Sequence, residues 1–419
     1  MHCRIPFTFS LFRPWPKNIP ASGHNIATFC SVAQQDGASS AGFNPSRVLV
    51  LSKTTRYEFE KKRFADLNED QLRRALARRG SDYSSLRAIH NVHTDNLERI
   101  VRTLEKRKIE HRVVTRGDYT YDKVRWADAI ISAGGDGTFL LTASRVFDDT
   151  PVIGINTDPT RSEGFLALPN KCTLDFDKTM EKLLAGKFKW TWRQRIHVTV
   201  QGGNVNYDPI DLHEEQLRYP EYYEKHYRDS DIDCQTCTEH SPRILPVYAL
   251  NEVFIGESLA SRVSYYELSI DDGPKEKQKS SGLTVSTGSG STSWFFNINK
   301  LPSKSVQDIL NIVKKETNAD IPEDDMLAKR IAEKFNCSLV YSPSDTRMAY
   351  TIRDPVVNGV YSVKSSRGFA RKIFIRSRMW DACMVIDNGA SFVFNDGAIA
   401  TMEINSKNAL RTISALDMS

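Results

Sequence analysis

The chain has 419 residues, 40% of them apolar and 26% charged, with a net charge of +5. This length favours two domains. No apolar run approaches the roughly 18 residues that a membrane-spanning helix needs. Residues 1–42 carry +2 of the charge (Arg4, Arg13 and Lys17 against Asp36), and the remaining +3 is too small for the basic signature of nucleic-acid binding.

The first 42 residues differ from the rest of the chain. They contain no acidic residue before Asp36 and are rich in Ser, Phe and Pro. This composition favours an organelle transit peptide, with a disordered tail as the alternative, because a secretory signal would have a clear apolar segment. Seven cysteines without framework spacing indicate a reducing compartment.

Residues 43–190 alternate between strand and helix patterns. This alternation predicts a Rossmann-like parallel α/β domain, in which ligands bind at the carboxyl ends of the strands. The predicted strands are 47–53, 111–115, 127–132 and 151–156. The predicted helical segments are 82–108 (one helix or two), 138–147 and 176–185.

Residues 191–405 have a different texture. Short β-prone segments separated by turns rich in Gly, Asp and Asn predict a mostly antiparallel β domain. The predicted strands include 196–201, 253–255, 265–270, 349–352 and 372–376. Two insertions are expected, a polar one at 204–246 and a helical one at 303–340, and 406–419 is predicted as a C-terminal helix that packs on the first domain.

The most informative segment is the glycine-rich loop Gly134-Gly135-Asp136-Gly137-Thr138. Glycines let backbone N–H groups approach a ligand, and a following helix directs its positive end to the same place, which favours phosphate. Asp136 would repel phosphate, so its presence indicates that the site also orients a hydroxyl or a metal ion. The combination is typical of phosphoryl transfer to an alcohol.

Two further segments carry polar groups that suit a nucleotide. Asn251 and Glu252 interrupt an apolar run, and burying them costs free energy unless partners are present. The alternative is an edge strand with solvated side chains. Residues 286–293 form a hydroxyl-rich loop with six hydroxyls, and Trp294, which follows them, can stack on a base.

Two other catalytic or metal sites are not favoured. Cys234 and Cys237 with His226 and His240 suggest zinc, but they lie in the polar insertion and lack a second cysteine pair. A Ser-His-Asp hydrolase would need a strand–Gly-x-Ser-x-Gly–helix elbow, which the sequence does not contain.

Three of these segments together resemble the NAD kinase family. The glycine-rich loop, the Asn-Glu pair and residues 281–294 parallel its Gly-Gly-Asp-Gly, Asn-Glu and Asp-Gly…Ser-Thr-Pro-Thr-Gly-Ser-Thr-Ala-Tyr motifs. Residues 154–157 and 164–166 also resemble segments of the family, and the likeness covers roughly residues 47–405. The segments that resemble its mitochondrial type specifically are 53–60, 158–164, 251–258 and 380–384.

The resemblance implies transfer of a phosphoryl group from ATP, or inorganic polyphosphate, to the adenosine 2′-hydroxyl of NAD, with a divalent metal, Mg²⁺, bound mainly through the donor phosphates. It implies that Asp136 is the catalytic residue. The implied donor-phosphate site is Gly134, Gly135, Gly137, Thr138 and Lys53, and the implied NAD site is Asn156, Phe165, Asn251, Glu252, Ser281, Thr292, Ser293 and Trp294.

This sequence departs from the family motifs at two positions. Ser281 stands where the family usually has Asp, and Trp294 stands where it has Tyr. Both changes bear on the geometry of the NAD site. We expect a homodimer in the mitochondrial matrix that binds neither membrane nor nucleic acid. Two alternatives are a lipid kinase of the diacylglycerol or sphingosine type and a non-catalytic nucleotide-binding regulator.

Overall fold

A computed structural model describes residues 42–162, 164–202, 209–213, 241–320, 322, 324–359, 361 and 365–416. Residues 1–41 of the predicted transit peptide, residues 204–208 and 214–240 of the predicted insertion 204–246, and the zinc candidates lie outside these ranges. Within them, no helix is long and apolar enough to cross a bilayer.

Strands and helices follow the chain in this order. The strands are β1 (Arg47–Ser52), β2 (Glu110–Val114), β3 (Ala129–Ala133), β4 (Val152–Ile155), β5 (Phe188–Arg193), β6 (Ile196–Gln201), β7 (Ile210–Asp211), β8 (Arg243–Ile244), β9 (Glu252–Glu257), β10 (Ser264–Ile270), β11 (Glu276–Ser280), β12 (Leu283–Ser286), β13 (Met348–Ile352), β14 (Arg367–Ala370), β15 (Lys372–Ser377), β16 (Ala382–Ile386), β17 (Ala390–Val393), β18 (Ile399–Ile404) and β19 (Leu410–Leu416). The helices are α1 (Arg56–Arg63), α2 (Glu69–Arg78), α3 (Tyr83–Lys106), α4 (Tyr121–Trp126), α5 (Asp136–Ala143), α6 (Asn170–Leu174), α7 (Phe176–Leu184), α8 (Trp294–Asn299), α9 (Ser303–Thr317) and α10 (Asp325–Cys337).

The first sheet has the order β2-β1-β3-β4-β19-β5, and β1 to β4 are parallel. Its central strands are almost wholly buried because apolar clusters cover both faces. The parallel α/β prediction is therefore confirmed. The carboxyl ends of β1, β3 and β4 meet at one edge, which is where the glycine-rich loop begins.

The second region is a sandwich of two antiparallel sheets, with orders β11-β10-β15-β18-β6-β8 and β14-β13-β12-β9-β16-β17-β7. One apolar cluster fills the space between the sheets, with side chains from both, including Val198, Ile255, Leu283 and Ile375. Inward-facing apolar residues alternate with outward-facing polar ones, most clearly along β6. The prediction of an antiparallel β region is also confirmed.

The predicted C-terminal helix is wrong. Residues Ser406–Asn408 form a single 3₁₀ turn, and Leu410–Leu416 form β19 inside the first sheet. β19 pairs with β4 in parallel at one residue and antiparallel with β5 along its length. Its apolar residues Leu410 and Ile413 are buried in the two clusters that cover the faces of this sheet, so sheet pairing and burial override a weak local helix pattern.

One buried arginine lies where the chain crosses from the first sheet to the sandwich. Arg195, between β5 and β6, is 1% exposed. Its Nε donates to the Asn408 carbonyl (2.7 Å), and its Nη1 donates to the carbonyls of Val146 (2.5 Å) and Ala143 (3.3 Å). It therefore ties the end of α5 to the turn that precedes β19.

The remaining helix predictions vary in accuracy. The pattern at 82–108 is a single helix, α3, capped by Asp82, which accepts from the Ser84 and Ser85 amides. The segment 303–340 is helical as predicted, as α9 and α10. Helices α1 and α2 were not predicted, because their sequences are mostly charged and have few apolar residues in periodic positions.

Candidate active site

A cavity of about 860 Å³ lies between the first sheet and the sandwich. From the first sheet it is lined by the loop after β1 and by one side of α5. From the sandwich it is lined by the turn between β16 and β17. The lining includes Lys53, Gly135, Gly137, Thr138, Tyr248 and Asp387.

Glycine occupies the positions of this loop for two different structural reasons. A Cβ on Gly134 would lie 2.3 Å from Thr138 Oγ1 and 2.9 Å from Lys53 Cβ, so packing within the chain requires this glycine. A Cβ on Gly135 would meet nothing nearer than 4.0 Å, and one on Gly137 would have no neighbour within 4 Å. The last two glycines therefore leave backbone open toward the cavity at the N-terminus of α5.

Lys53 lies beside this loop. Its backbone N–H donates to the Ala133 carbonyl (3.0 Å), which fixes it against the end of β3. Its Nζ lies 3.7 Å from Asp158 Oδ2. Burial lowers the pKa of Lys53, and the Asp158 charge opposes that shift. A partly desolvated ammonium facing a cavity is suited to an anionic ligand.

Asp136 is the first residue of α5 and is half-buried. Its Oδ1 accepts from the Leu166 amide (2.9 Å) and its Oδ2 from the Phe165 amide (3.2 Å). These two bonds hold the carboxylate in one orientation. Phe165 itself is partly exposed, so its ring is available to a ligand next to Asp136.

Asn156 is placed differently from the expectation of direct ligand contact. It is fully buried, and its Nδ2 donates to the Ser162 carbonyl (2.9 Å). Its Oδ1 accepts from the Asp158 amide (3.1 Å) and from Ser162 Oγ (3.3 Å). Both ends of the amide are used within the loop after β4, which Asn156 therefore shapes.

The Asn-Glu pair is buried at the start of β9, with Asn251 3% and Glu252 8% exposed. Because β9 lies between β12 and β16, the alternative of a solvated edge strand is wrong. Within the described residues, Asn251 Oδ1 and Glu252 Oε2 are buried without a hydrogen-bond partner. Buried polar atoms without a hydrogen-bond partner are rare in folded proteins unless a ligand or a water molecule supplies the missing bond.

Asp387, in the turn after β16, holds this pair in place. Its Oδ2 accepts from the Leu250 amide (2.7 Å), and its Oδ1 accepts from the Asn251 and Glu252 amides (2.8 and 3.0 Å). Burial raises the pKa of Asp387 to about 6. Burial, with the Asp387 charge added, raises the pKa of Glu252 to about 8. At neutral pH Glu252 therefore holds its proton and can donate it in a hydrogen bond.

The hydroxyl-rich loop packs directly on the Asn-Glu pair. Ser286 Oγ donates to the Asn251 carbonyl (3.2 Å), and Asn251 Nδ2 donates to Ser293 Oγ (3.1 Å). A Cβ on Gly290 would lie 2.2 Å from the Asn251 carbonyl oxygen, so this glycine permits the close approach. Thr292 Oγ1 donates back within the loop, to the Ser289 carbonyl (3.4 Å).

Trp294 and Ser281 both contact Arg353. The Trp294 ring is partly exposed and packs on Phe254, with ring centroids 5.2 Å apart. The Arg353 guanidinium lies 5.2 Å from the Trp294 ring centroid. Ser281 donates its amide to the Arg353 carbonyl (2.8 Å). The position that lacks the expected Asp is therefore next to an arginine and an aromatic face.

Sequence reasoning missed Arg193 and Asp387. Arg193, at the end of β5, is buried, and its Nη1 donates to Ser289 Oγ (3.2 Å) while its Nε has no partner among the described residues. Burial lowers the pKa of Arg193 to about 10, and the Asp136 charge opposes this. The available signals were the basic run Arg193-Gln-Arg195 after an aromatic segment and the Asp387-Asn-Gly389 segment, which is one of the turns between predicted strands.

Known proteins similar to this chain share one enzyme family. A family model described as the ATP-NAD kinase N-terminal domain matches residues 57–188. The chain is 50% identical over 375 residues to NAD kinase 2, mitochondrial, of Rattus norvegicus. The aligned residues cover 89% of this chain and 88% of the relative. The Homo sapiens relative of that name is 50% identical over 378 residues (89% and 85% covered). The Xenopus tropicalis relative is 48% identical over 394 residues (90% and 92% covered).

The raised pKa of Glu252 predicts a specific pH dependence of stability. The folded pKa is about 8 and the ordinary value is 4.5, so the unfolded chain releases this proton first as pH rises. Stability is therefore lost between these two values, at no more than about 1.4 kcal/mol per pH unit. Glu252→Gln removes this loss. The free energy of unfolding of the variant minus that of the parent, measured by urea titration, should therefore increase from pH 5 to pH 8.5.

The matched control is Glu98→Gln, which changes an exposed carboxyl on α3 that pairs with Arg102. We expect its difference from the parent to stay nearly constant over the same pH range. A pH-independent difference for Glu252→Gln would show that Glu252 is not held protonated.

Proposed function

The chain belongs to the NAD kinase family, and we propose that it transfers phosphate to the adenosine 2′-hydroxyl of NAD, giving NADP, at the site described above. Because the chain belongs to this family, an NAD kinase is favoured over the two alternatives, the lipid kinase and the non-catalytic regulator. The observation that carries the proposal is the pair of buried, unpartnered oxygens on Asn251 and Glu252 beside the hydroxyl-rich loop. A nucleoside supplies the amine and hydroxyl partners that these atoms lack.

In the proposed reaction Asp136 is the general base. Its carboxylate takes the proton of the 2′-hydroxyl as the ribose oxygen forms a bond to the terminal phosphorus of the donor. The bond from that phosphorus to the bridging oxygen breaks, and the shortened donor leaves with the electron pair. The amides of Phe165 and Leu166 orient the carboxylate for this proton transfer. Most of the rate then comes from positioning and charge.

We assign the donor phosphates to Gly135, Gly137 and Thr138 at the N-terminus of α5, with Gly134 allowing the tight turn and Lys53 adding positive charge. The donor is ATP, and inorganic polyphosphate can use the same phosphate contacts. When bound, a divalent ion, proposed as Mg²⁺, neutralises charge on those phosphates. No three His, Cys, Asp or Glu side chains of the described ranges form a metal cluster.

We assign NAD to the side of Asp136 that faces the sandwich. Asn251 and Glu252 bind nucleoside polar groups, Thr292 and Ser293 offer hydroxyls, and Phe165 and Trp294 offer ring faces for stacking. Ser281 contacts NAD without the charge of the Asp that the family usually has there. Asn156 acts on NAD through the loop that it holds, which includes Ser162.

The proposed domains follow the two sheet systems. Residues 43–190 are the proposed α/β domain and residues 191–405 the proposed NAD-binding β domain, except that β5 continues the first sheet to Arg193. The chain from 406 returns to the first domain as β19. Buried Arg193 links the domains, since it lies on the first sheet and bonds to the hydroxyl-rich loop.

The first test is Asp136→Asn. Removing a general base lowers turnover by about 10²- to 10⁴-fold, and we expect NADP formation to fall by that factor. NAD affinity, measured by calorimetry, should change little because the binding contacts remain. Turnover close to that of the parent would exclude Asp136 as the base.

The control for Asp136→Asn is Asp128→Asn. Asp128 also accepts two backbone amides, from Ser46 and Arg47, but it precedes β3 at the opposite end of the sheet. The Asp128→Asn variant therefore measures how much stability is lost when such hydrogen bonds are weakened, without any change at the proposed site. We expect turnover of this variant to match the parent even where its melting temperature falls.

We propose a homodimer that uses the helices α9 and α10. Ile309, Ile312 and Met326 are each more than half exposed on these helices, and exposed apolar faces of this kind are typical of subunit contacts. Sedimentation should give a dimer for the parent and a monomer for the double variant Ile309→Asp/Ile312→Asp. A variant that remains dimeric would place the interface elsewhere.

We propose that the enzyme works in the mitochondrial matrix and that residues 1–42 are the transit peptide. The names of the relatives support a mitochondrial location, and the basic, acid-poor composition of this segment supports import. A reporter fused to residues 1–42 should enter mitochondria and resist protease until the inner membrane is opened. Retention in the cytosol would contradict this assignment.

A further inference from the structure

The end of the 860 Å³ cavity that lies away from the glycine-rich loop has an aromatic wall. Tyr121 and Tyr248 line the cavity, and Phe147 lies between them. Tyr121 is 46% exposed and Phe147 is 37% exposed, so their rings are not core residues. Neither the family motifs nor the proposed phosphate contacts give this wall a role.

The three rings form a supported row. Tyr248 is stacked on His197 with centroids 4.1 Å apart and planes 8° apart. Phe147 meets the edge of Tyr248 at 5.0 Å, and Tyr121 lies 5.6 Å from Phe147 with the planes tilted by 32°. Tyr121 is therefore the outermost ring of the row, and core packing restricts its position less than it restricts Phe147 and Tyr248.

A positive charge lies near the Tyr121 hydroxyl. Partial burial raises the pKa of Tyr121, the Arg145 charge opposes that shift, and Tyr248 adds to it. Arg145 also lines the cavity. An exposed ring next to a guanidinium is suited to a flat, electron-rich group that can stack and accept hydrogen bonds.

The distance between the two ends of the cavity suits one extended ligand. The cavity follows α5 from Gly137 and Thr138 at its start to Ser144 and Arg145 just beyond its end. Seven residues of helix, from Gly137 to Ser144, span about 10 Å. A triphosphate chain with its ribose covers a distance of that order between its last phosphate and its base.

We propose that Tyr121, supported by Phe147 and Tyr248 and flanked by Arg145, binds the base of the donor nucleotide, so that the cavity selects a nucleoside triphosphate over inorganic polyphosphate. This inference rests on the proposed function, because it takes the phosphates to lie at Gly137 and Thr138. Inorganic polyphosphate occupies only the phosphate end and gains nothing from the aromatic wall.

The test is Tyr121→Leu, which keeps an apolar side chain but removes the ring face. Stacking of a base on an aromatic ring contributes enough that its loss weakens binding roughly 5- to 150-fold. We expect the KM for ATP to rise within that range while the KM for NAD and kcat at saturating ATP stay close to the parent. The inhibition constant of inorganic tripolyphosphate against ATP should not change. Tyr121→Phe keeps the ring and should keep most of the ATP affinity.

The control variant is Tyr265→Leu, a similarly exposed tyrosine on β10 that does not line the cavity. An unchanged KM for ATP in Tyr121→Leu overturns the inference, and so does an equal rise in the tripolyphosphate inhibition constant. A parent enzyme that forms no NADP from any donor would instead overturn the proposed function. Calorimetric titration of the parent and Tyr121→Leu with ATP in the absence of NAD would then still decide whether Tyr121 binds the base.

Discussion

The geometry of the site depends on how the chain crosses between its two sheet systems, and buried Arg195 fixes that crossing. Its guanidinium donates to carbonyls at the end of α5 and to the turn before β19. Burial lowers its pKa only to about 10, so it stays charged at neutral pH. A cation bonded to the last carbonyls of α5 also complements the negative end of that helix, whose positive end faces the cavity. Arg195 thus holds both α5 and the sandwich next to the cavity.

Around Asp136 the polar groups divide into two sets with different electrostatics. On the donor side are open backbone at Gly135 and Gly137 and the partly desolvated Lys53, which suit an anion. On the sandwich side Glu252 is uncharged at neutral pH, because its pKa is about 8, and the neighbouring Asp387 accepts three backbone amides. This division matches a reaction that brings a polyanion to a sugar hydroxyl. It also explains why a single carboxylate can work there without repulsion from Glu252.

The sequence was sufficient for the parallel sheet, the glycine-rich loop and the antiparallel region, because each follows from local patterns such as buried apolar runs and turn residues. Asn251 and Ser293, which the resemblance assigns to one NAD site, are joined by a hydrogen bond. Arg193 was missed, because its partner Ser289 is 96 residues away. Asn156 was expected to contact the ligand, yet its amide is used within its own loop.

Local pattern therefore decided which segments become strands or helices and which residues could carry phosphoryl-transfer chemistry. It could not decide the conformation of 410–416, because a strand inserted between β4 and β5 gains its stability from partners that are distant in the chain. For the same reason it could not show that Asp387 holds the Asn-Glu pair or that Tyr121, Phe147 and Tyr248 line one wall. Burial and hydrogen bonding across long chain separations created those features, since desolvation and close packing exist only once the two sheet systems meet.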